Sequence, residues 1–456
     1  MRRASRATRS RRVVALAAAP LLAGCGSLVH REPIPAPFPP DAPFGEVVTE
    51  IRYEGNDHTR ESVIRDNLET EVGEPYTEED VLEEHNRLYQ LGVFTSLQFL
   101  TEPAPDGTAV IVSMQEVNPY LPSLSFSITQ ENGLSIGPSI SAPNLFGRGM
   151  KSSLKAQFGG ATNFEIRLRD PWRLDADWYG CCYDFLLAHR IRYNKLDDFD
   201  ERSTEFSAQW LYTATERIHF GPRVTWVNLS AAEDSLGDVP PVTLDPDHSD
   251  RIPGLGLVAE YDSRNLAVYP TRGWFIQIDG MQNGGWLGGP ADYLRLNVDT
   301  RRYFELAGPA HSLAFYSLLT LTSGEVGVDV PLHQDFGIGG TNSVRGWALG
   351  SREGKNQLLG TAEYWFQFAP LQAYRIWFVR FAMGLQLAAF ADVGTAWDTS
   401  TQLRQNWIAG GGAGLRLIIP QTVMIRFDLA FGEPAMGLIF SVGGNEKAFA
   451  QKQRVR

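Results

Sequence analysis

The chain has 456 residues, three cysteines and a formal charge of -12 at neutral pH. That charge excludes a protein built to hold nucleic acid, which needs a basic patch against the phosphates. Three cysteines are too few for a disulfide framework, and Cys181 and Cys182 are sequence neighbours that bridge only with strain. No apolar run reaches the roughly 18 residues that a transmembrane helix requires, so a membrane crossing has to be made with strands.

The chain opens with Arg2, Arg3, Arg6, Arg9, Arg11 and Arg12 and no acid, then the apolar run Val13 to Ala23. A basic head, a short apolar stretch and small residues read as a secretory signal over residues 1–24. Its end, Leu22-Ala23-Gly24-Cys25, resembles a bacterial lipobox, which implies cleavage before Cys25 and acylation of its thiol. An ordinary signal ending beside a cysteine is the alternative. Pro33, Pro35, Pro37, Pro39, Pro40 and Pro43 then predict an extended spacer over 25–45.

Residues 46–117 carry a mixed pattern. Val47 to Tyr53 reads as a strand and Arg60 to Leu68 as a helix. Thr77 is placed to cap a second helix, with Glu79 and Asp80 in its first turn and Val81, Leu82, His85, Leu88 and Tyr89 along one stripe. Gly92 ends it, and Val93 to Leu100 and Thr108 to Glu116 read as strands.

From 119 to 449 the period is two. Leu294, Leu296 and Val298 alternate with Arg295, Asn297 and Asp299, and Val423, Ile425, Phe427 and Leu429 with Met424, Arg426 and Asp428. One apolar face and one charged face do not fit a sandwich core, but they suit strands with lipid outside and a wet lumen inside. About sixteen such segments predict a transmembrane β-barrel of about 16 antiparallel strands, preceded by one small α+β domain. Trp172, Trp178, Trp226, Trp365 and Trp377 near strand ends are expected to form an interfacial belt. Residues 450–456 form a basic tail with Lys452, Arg454 and Arg456.

The order strand, helix, helix, strand, strand, with Gly73-Glu74-Pro75-Tyr76 and Leu88-Tyr89-Gln90-Leu91-Gly92-Val93-Phe94, resembles a POTRA domain. A glycine-rich loop from about Ser323 to Lys355 contains Gly339-Gly340-Thr341-Asn342-Ser343 followed by Val344, Arg345, Gly346 and Trp347. With Tyr261-Asp262-Ser263-Arg264-Asn265 and Tyr269-Pro270-Thr271-Arg272-Gly273-Trp274, these features resemble the BamA/TamA superfamily of outer-membrane insertases and translocators.

The resemblance implies a bacterial outer-membrane location with the POTRA domain in the periplasm. It further implies a loop folded into the barrel, with Arg345 meeting Glu363 and Asp392. The expected partners are unfolded outer-membrane protein clients, outer-membrane lipid, and periplasmic lipoproteins or chaperones. Capture by the POTRA sheet and entry through a seam between the first and last strands make an insertion factor. Gly437, Gly443 and Gly444 at the last strand agree with a loose seam. The alternatives are a channel that secretes a partner protein and a passive pore with a docking domain.

No enzyme is expected. Gly133-Leu134-Ser135-Ile136-Gly137 fits the hydrolase spacing but lies in an alternating strand rather than at a strand-to-helix elbow. The eight histidines have no metal-ligand spacing, Asp245, Asp247 and Asp250 read as a solvated outer loop in preference to a weak divalent-cation site, and no glycine loop cradles phosphate. No cofactor or metal is called for.

Overall fold

A computed structural model describes residues 29–32 and 35–443, apart from 130–132, 171–180, 195–198, 216, 232–241, 266–269, 309, 377–378, 420–422 and 434–435. The signal region, Cys25, the basic tail and Trp172, Trp178 and Trp377 lie outside the described residues.

The first element is β1 (Val29–Glu32), which pairs antiparallel with the barrel, Val29 opposite Ile376. The small domain follows as β2 (Val48–Glu54), α1 (Glu61–Arg65), α2 (Glu78–Gln90), β3 (Phe94–Ala104) and β4 (Gly107–Glu116). Its sheet order is β2-β4-β3, with β2 parallel and β3 antiparallel to β4. Thr77 caps α2 by accepting from the Asp80 amide, and acids fill the first turn. Val81 and Leu88 of that helix pack on Phe94, Leu97, Phe99, Val110 and Val112.

The predicted stripe differs at Leu82, which is exposed; it sits one residue, about 100°, around the helix from Val81. Buried Glu84 takes its place inside, accepting from the Glu69 amide at 2.6 Å and the Thr70 hydroxyl at 3.0 Å. The predicted helix 60–68 is shorter, and the spacer is not free. Phe38, Ala42 and Phe44 pack against the domain core, Phe44 stacks on Tyr76 at 5.2 Å, and Phe99 N–H donates to Pro37 O at 2.7 Å. Prolines exclude ladder donors but leave carbonyls and side chains to pack, so the second half of the expected spacer belongs to the domain.

The barrel begins with β5 (Leu121–Thr129), β6 (Gly133–Leu145), β7 (Met150–Gly159), β8 (Ala161–Asp170), β9 (Cys181–Asn194), β10 (Phe199–Thr215), β11 (Ile218–Ala231) and β12 (Ser249–Asp262). It continues with β13 (Gly273–Gly284), β14 (Asp292–Glu305) and β15 (His311–Thr322). A loop carrying the two short strands β16 (Phe336–Ile338) and β17 (Arg352–Gly354) leads to β18 (Asn356–Ile376) and β19 (Val379–Trp397). Helix α3 (Ser400–Gln405) precedes β20 (Ile408–Ile419), β21 (Val423–Phe431) and β22 (Met436–Gly443).

Among the described residues, leaving aside β1 and the loop strands, sixteen strands form the wall, and β22 neighbours β5 in a circular sheet order. Leu294, Leu296, Phe427 and Leu429 are exposed, whereas Asn297, Arg416 and Asp428 are buried. Apolar side chains thus face out and polar ones in, the inversion a lipid surroundings demands. Trp226 is on the outer surface as expected for a belt, but Trp365 is buried and donates to Glu363 at 2.8 Å. Strand parity decides this, because Trp365 shares a face with Glu363.

Residues 242–248, before β12, and the loop 323–355 lie at one end of the barrel, and the small domain enters β5 at the other, short-turn end. There it touches the turn between β6 and β7. Arg60 N–H donates to Gly147 O at 2.9 Å, Asn144 Nδ2 to Thr59 Oγ1 at 2.8 Å, and Glu116 receives the His58 and Thr59 amides at 2.9 and 2.6 Å.

Candidate functional site

The loop 323–355 folds into the barrel, and each residue of its tetrapeptide has a separate packing role. Val344 is fully buried among Leu318, Ile338, Leu359, Ala396 and Ile408. Trp347 Nε1 donates to Ala409 O at 2.7 Å, fastening the loop to β20. Gly346 has φ +92°, and a Cβ there would lie 2.5 Å from the Phe431 backbone. Only glycine meets both conditions. On the receiving wall, a Cβ on Gly410 would lie 2.0 Å from Arg345 O, so glycines in β20 let the loop backbone approach the strand.

Arg345 sits at the centre with its side chain 4% exposed. Its Nε donates to Asp392 Oδ2 at 2.7 Å and its Nη2 to Asp392 Oδ1 at 2.9 Å, a forked pair. The backbone amide of Arg345 also reaches Asp392 Oδ2, at 3.1 Å. Nη2 reaches Glu363 Oε1 at 2.7 Å, and Nη1 reaches Asp428 Oδ2 at 2.8 Å. The guanidinium lies over the Phe390 ring, 3.4 Å from its centroid. Charge-assisted, forked bonds of this kind fix both position and orientation.

The structure therefore brings together Arg345, Glu363 and Asp392, the three residues named from the sequence. It adds two that the sequence reading did not assign. Asp428 of β21 is a third carboxylate, and Arg416 of β20 joins Glu363 at 2.9 Å and Asp428 at 3.3 Å. Strand alternation put Asp428 on the lumen face but gave no sign that it lies under the loop. With Arg426, opposite Arg416 in the ladder, three cations meet three carboxylates. Burial of Arg345 and Arg416 with Glu363, Asp392 and Asp428 is tolerable because each of these five is paired, while Arg426 is half-buried. Thr361 Oγ1 completes the shell by donating to Asp392 Oδ1 at 2.7 Å.

Through these contacts one loop ties together β18, β19, β20 and β21, the wall beside β22. The loop is also held from the opposite direction. Arg295 of β14 donates to Gln334 O at 3.0 Å, and His333 Nε2 meets Asp250 Oδ2 at 3.0 Å. Asp250 is fully buried and also accepts the Leu244 and Asp245 amides. It is a loop organiser, which corrects its reading as part of a solvated cluster. Ser135 lies in β6, with its Oγ accepting from Ala161 N–H. Among the described residues no group of His, Cys, Asp and Glu is arranged to hold a metal.

The model of the Omp85 superfamily domain matches residues 144–444, and that of the surface antigen variable number repeat, a POTRA unit, matches 46–116. The chain belongs to the Omp85 superfamily. It is 26% identical over 424 residues to the outer membrane protein assembly factor BamA of Neisseria meningitidis serogroup B, covering 80% of this chain and 48% of that protein. The chain spans about half the length of the curated relatives it matches. Among solved structures it resembles BamA from Haemophilus ducreyi lacking POTRA domains 1–3, with TM-score 0.55, 17% identity, and 91% of this chain and 88% of that one covered. It also resembles CdiB from Acinetobacter baumannii, with TM-score 0.53, 13% identity, and 88% and 73% covered. These place the barrel in the outer membrane, with the Omp85 fold.

Proposed function

We propose that this Omp85 chain is an assembly factor that inserts outer-membrane proteins. Its POTRA domain faces the periplasm and takes up an extended client strand. The barrel seam between β22 and β5 then admits the client to lipid. The observation that carries this reading is the position of the lock. Arg345 fastens β18 to β21 into one unit, and among the described contacts of the loop none reaches β22 or β5, the strands that flank the seam.

Those flanking strands are short. β22 has 8 residues and β5 has 9, against 21 in β18. Pro122 in β5 has no N–H to offer a ladder. Strands this short offer few ladder bonds, so parting costs less there than between the long strands β18 and β19. Clients, and periplasmic lipoproteins or chaperones that deliver them, are the proposed partners, and no covalent chemistry or cofactor is involved.

Liposomes carrying the protein should accelerate folding of an unrelated barrel substrate over empty liposomes; equal rates would remove the proposal. Secretion of a partner through the lumen is the second reading, favoured by the fold shared with CdiB. It requires the loop to leave the lumen and break every Arg345 bond, so it predicts large conductance steps when a cargo engages. The lipobox reading is kept as part of the proposal: Cys25→Ser should abolish palmitate labelling, and an unlabelled parent chain would end it.

A further inference from the structure

We propose that Val29–Glu32 is a strand latch across the short-turn mouth of the barrel, fixing the N-terminal side of the POTRA domain there. The starting point is that β18 outruns its neighbour. β15 begins at His311, opposite Phe366, and Gln367 N–H still donates to Ala310 O at 2.8 Å. Beyond that point β18 continues to Ile376, supported on its other side by β19. An edge of this kind is a template for any extended chain. Here it is covered by β1, with Val29, His30, Arg31 and Glu32 opposite Ile376, Arg375, Tyr374 and Ala373.

The latch is not a simple extension of the outer wall. In the sheet order β1 also neighbours β10, which is separated from β18 around the ring by β11 to β15. A strand bonded to two such distant walls lies across the opening. Register shifts at Phe366/Ala369 and Ala369/Gln372 distort β18 just before the paired stretch, and bulges bend strands. That bend brings the edge toward the opposite wall.

The sequence fits this use. Val29–Glu32 contains no proline and keeps its ladder donors, whereas prolines recur from Pro33 to Pro43. Only residues 33 and 34 separate Glu32 from Pro35, and by Pro37 the chain is bonded to β3 of the POTRA domain. The domain is thus tied at both ends, through β1 on one side and through the link from β4 to β5 on the other. Swinging about the C-terminal link requires β1 to peel away as well as release of the Arg60 and Thr59 contacts with the β6–β7 turn, so β1 narrows the excursions that those bonds leave open.

The test replaces Arg31 and Tyr374 with cysteine in a full-length chain whose Cys181 and Cys182 are serine. Facing positions in an antiparallel pair satisfy disulfide spacing, so oxidation should give about tenfold more intramolecular cross-link than the off-register pair Val29→Cys with Ala373→Cys. Tyr374→Cys alone controls for Cys25. Equal yields for the two pairs, or cross-linked dimers only, would overturn the latch. A second measurement uses spin labels at Glu71→Cys and Leu306→Cys in the same serine background. The interlabel distance distribution should be narrow in the parent and broaden with Arg31→Pro, which removes a ladder donor; an unchanged distribution would refute the tether.

Discussion

Asp428 is the sharpest test of the lock, because it is the acidic partner that the resemblance did not supply. Asp428→Asn keeps the shape and removes one of three charges. Its carboxylate is 1% exposed and receives Arg345 Nη1 at 2.8 Å and Arg416 Nη1 at 3.3 Å. Hydrogen bonds to charged groups contribute about 1.5–3 kcal/mol each, and the amide oxygen retains part of one. The remaining cations then outnumber the carboxylates in a site with little water. A loss of about 2–3 kcal/mol in loop docking follows, a factor of about 30–150 in the undocked population.

Val344→Cys, in a chain lacking Cys181 and Cys182, supplies the reporter. Val344 is fully buried under the docked loop, and cysteine is a small apolar substitute. Its maleimide labelling rate should rise by that factor when Asp428→Asn is added. Asp299→Asn is the control, since Asp299 pairs with Arg301 on the same strand, away from the loop. If Asp428→Asn changes labelling no more than Asp299→Asn while Arg345→Ala accelerates it strongly, Asp428 carries no part of the hold and the three-carboxylate reasoning is wrong.

Gly410→Ala places a methyl 2.0 Å from Arg345 O and should cost about 1–3 kcal/mol, read as a lower temperature of the heat-modified gel shift, whereas Gly280→Ala meets nothing within 4 Å and should leave it unchanged. Glu116→Ala removes the acceptor of the His58 and Thr59 amides, so hydrogen exchange at both should quicken; unchanged protection would show that Glu116 does not organise the domain's contact with the barrel. Burial lowers the His85 pKa below the ordinary 6.5, so its contribution to POTRA stability is complete above 6.5 and is lost as pH falls through the lowered value. Burial raises the Glu84 pKa above 4.5, which has the opposite sign, with stability gained as pH falls through that raised value toward 4.5. With the intrinsic slowing of exchange in acid divided out, the protection factors of the α2 amides should therefore fall as pH drops from 6.5 through the lowered His85 value in the parent, and less so in His85→Gln; identical protection profiles would refute the assignment.

Much of this was legible in the chain because it depends on local periodicity. Alternation of Leu294, Leu296 and Val298 with Arg295, Asn297 and Asp299 fixes which face meets lipid whatever the rest of the molecule does. The Thr77 cap and the Val81 and Leu88 stripe are equally local, and Leu82 was misplaced only because a stripe read from hydrophobicity does not resolve neighbours on a helix. Glu84 gave no signal, since a carboxylate between core positions looks like a solvated one until the Glu69 and Thr70 amides are seen to close over it.

By itself the sequence determined a barrel with a wet interior, one POTRA domain before it, and an arginine in a loop whose family resemblance named Glu363 and Asp392. Tertiary structure alone decided that Asp428 and Arg416 complete that site, that the proline-rich segment packs on the domain, and that Val29–Glu32 bridges β18 and β10. The division has one physical cause. The side a residue faces follows from its neighbours in the chain, whereas its partner across the lumen follows from strand register, ring closure and loop fold-back, which join residues far apart in sequence and leave no local pattern.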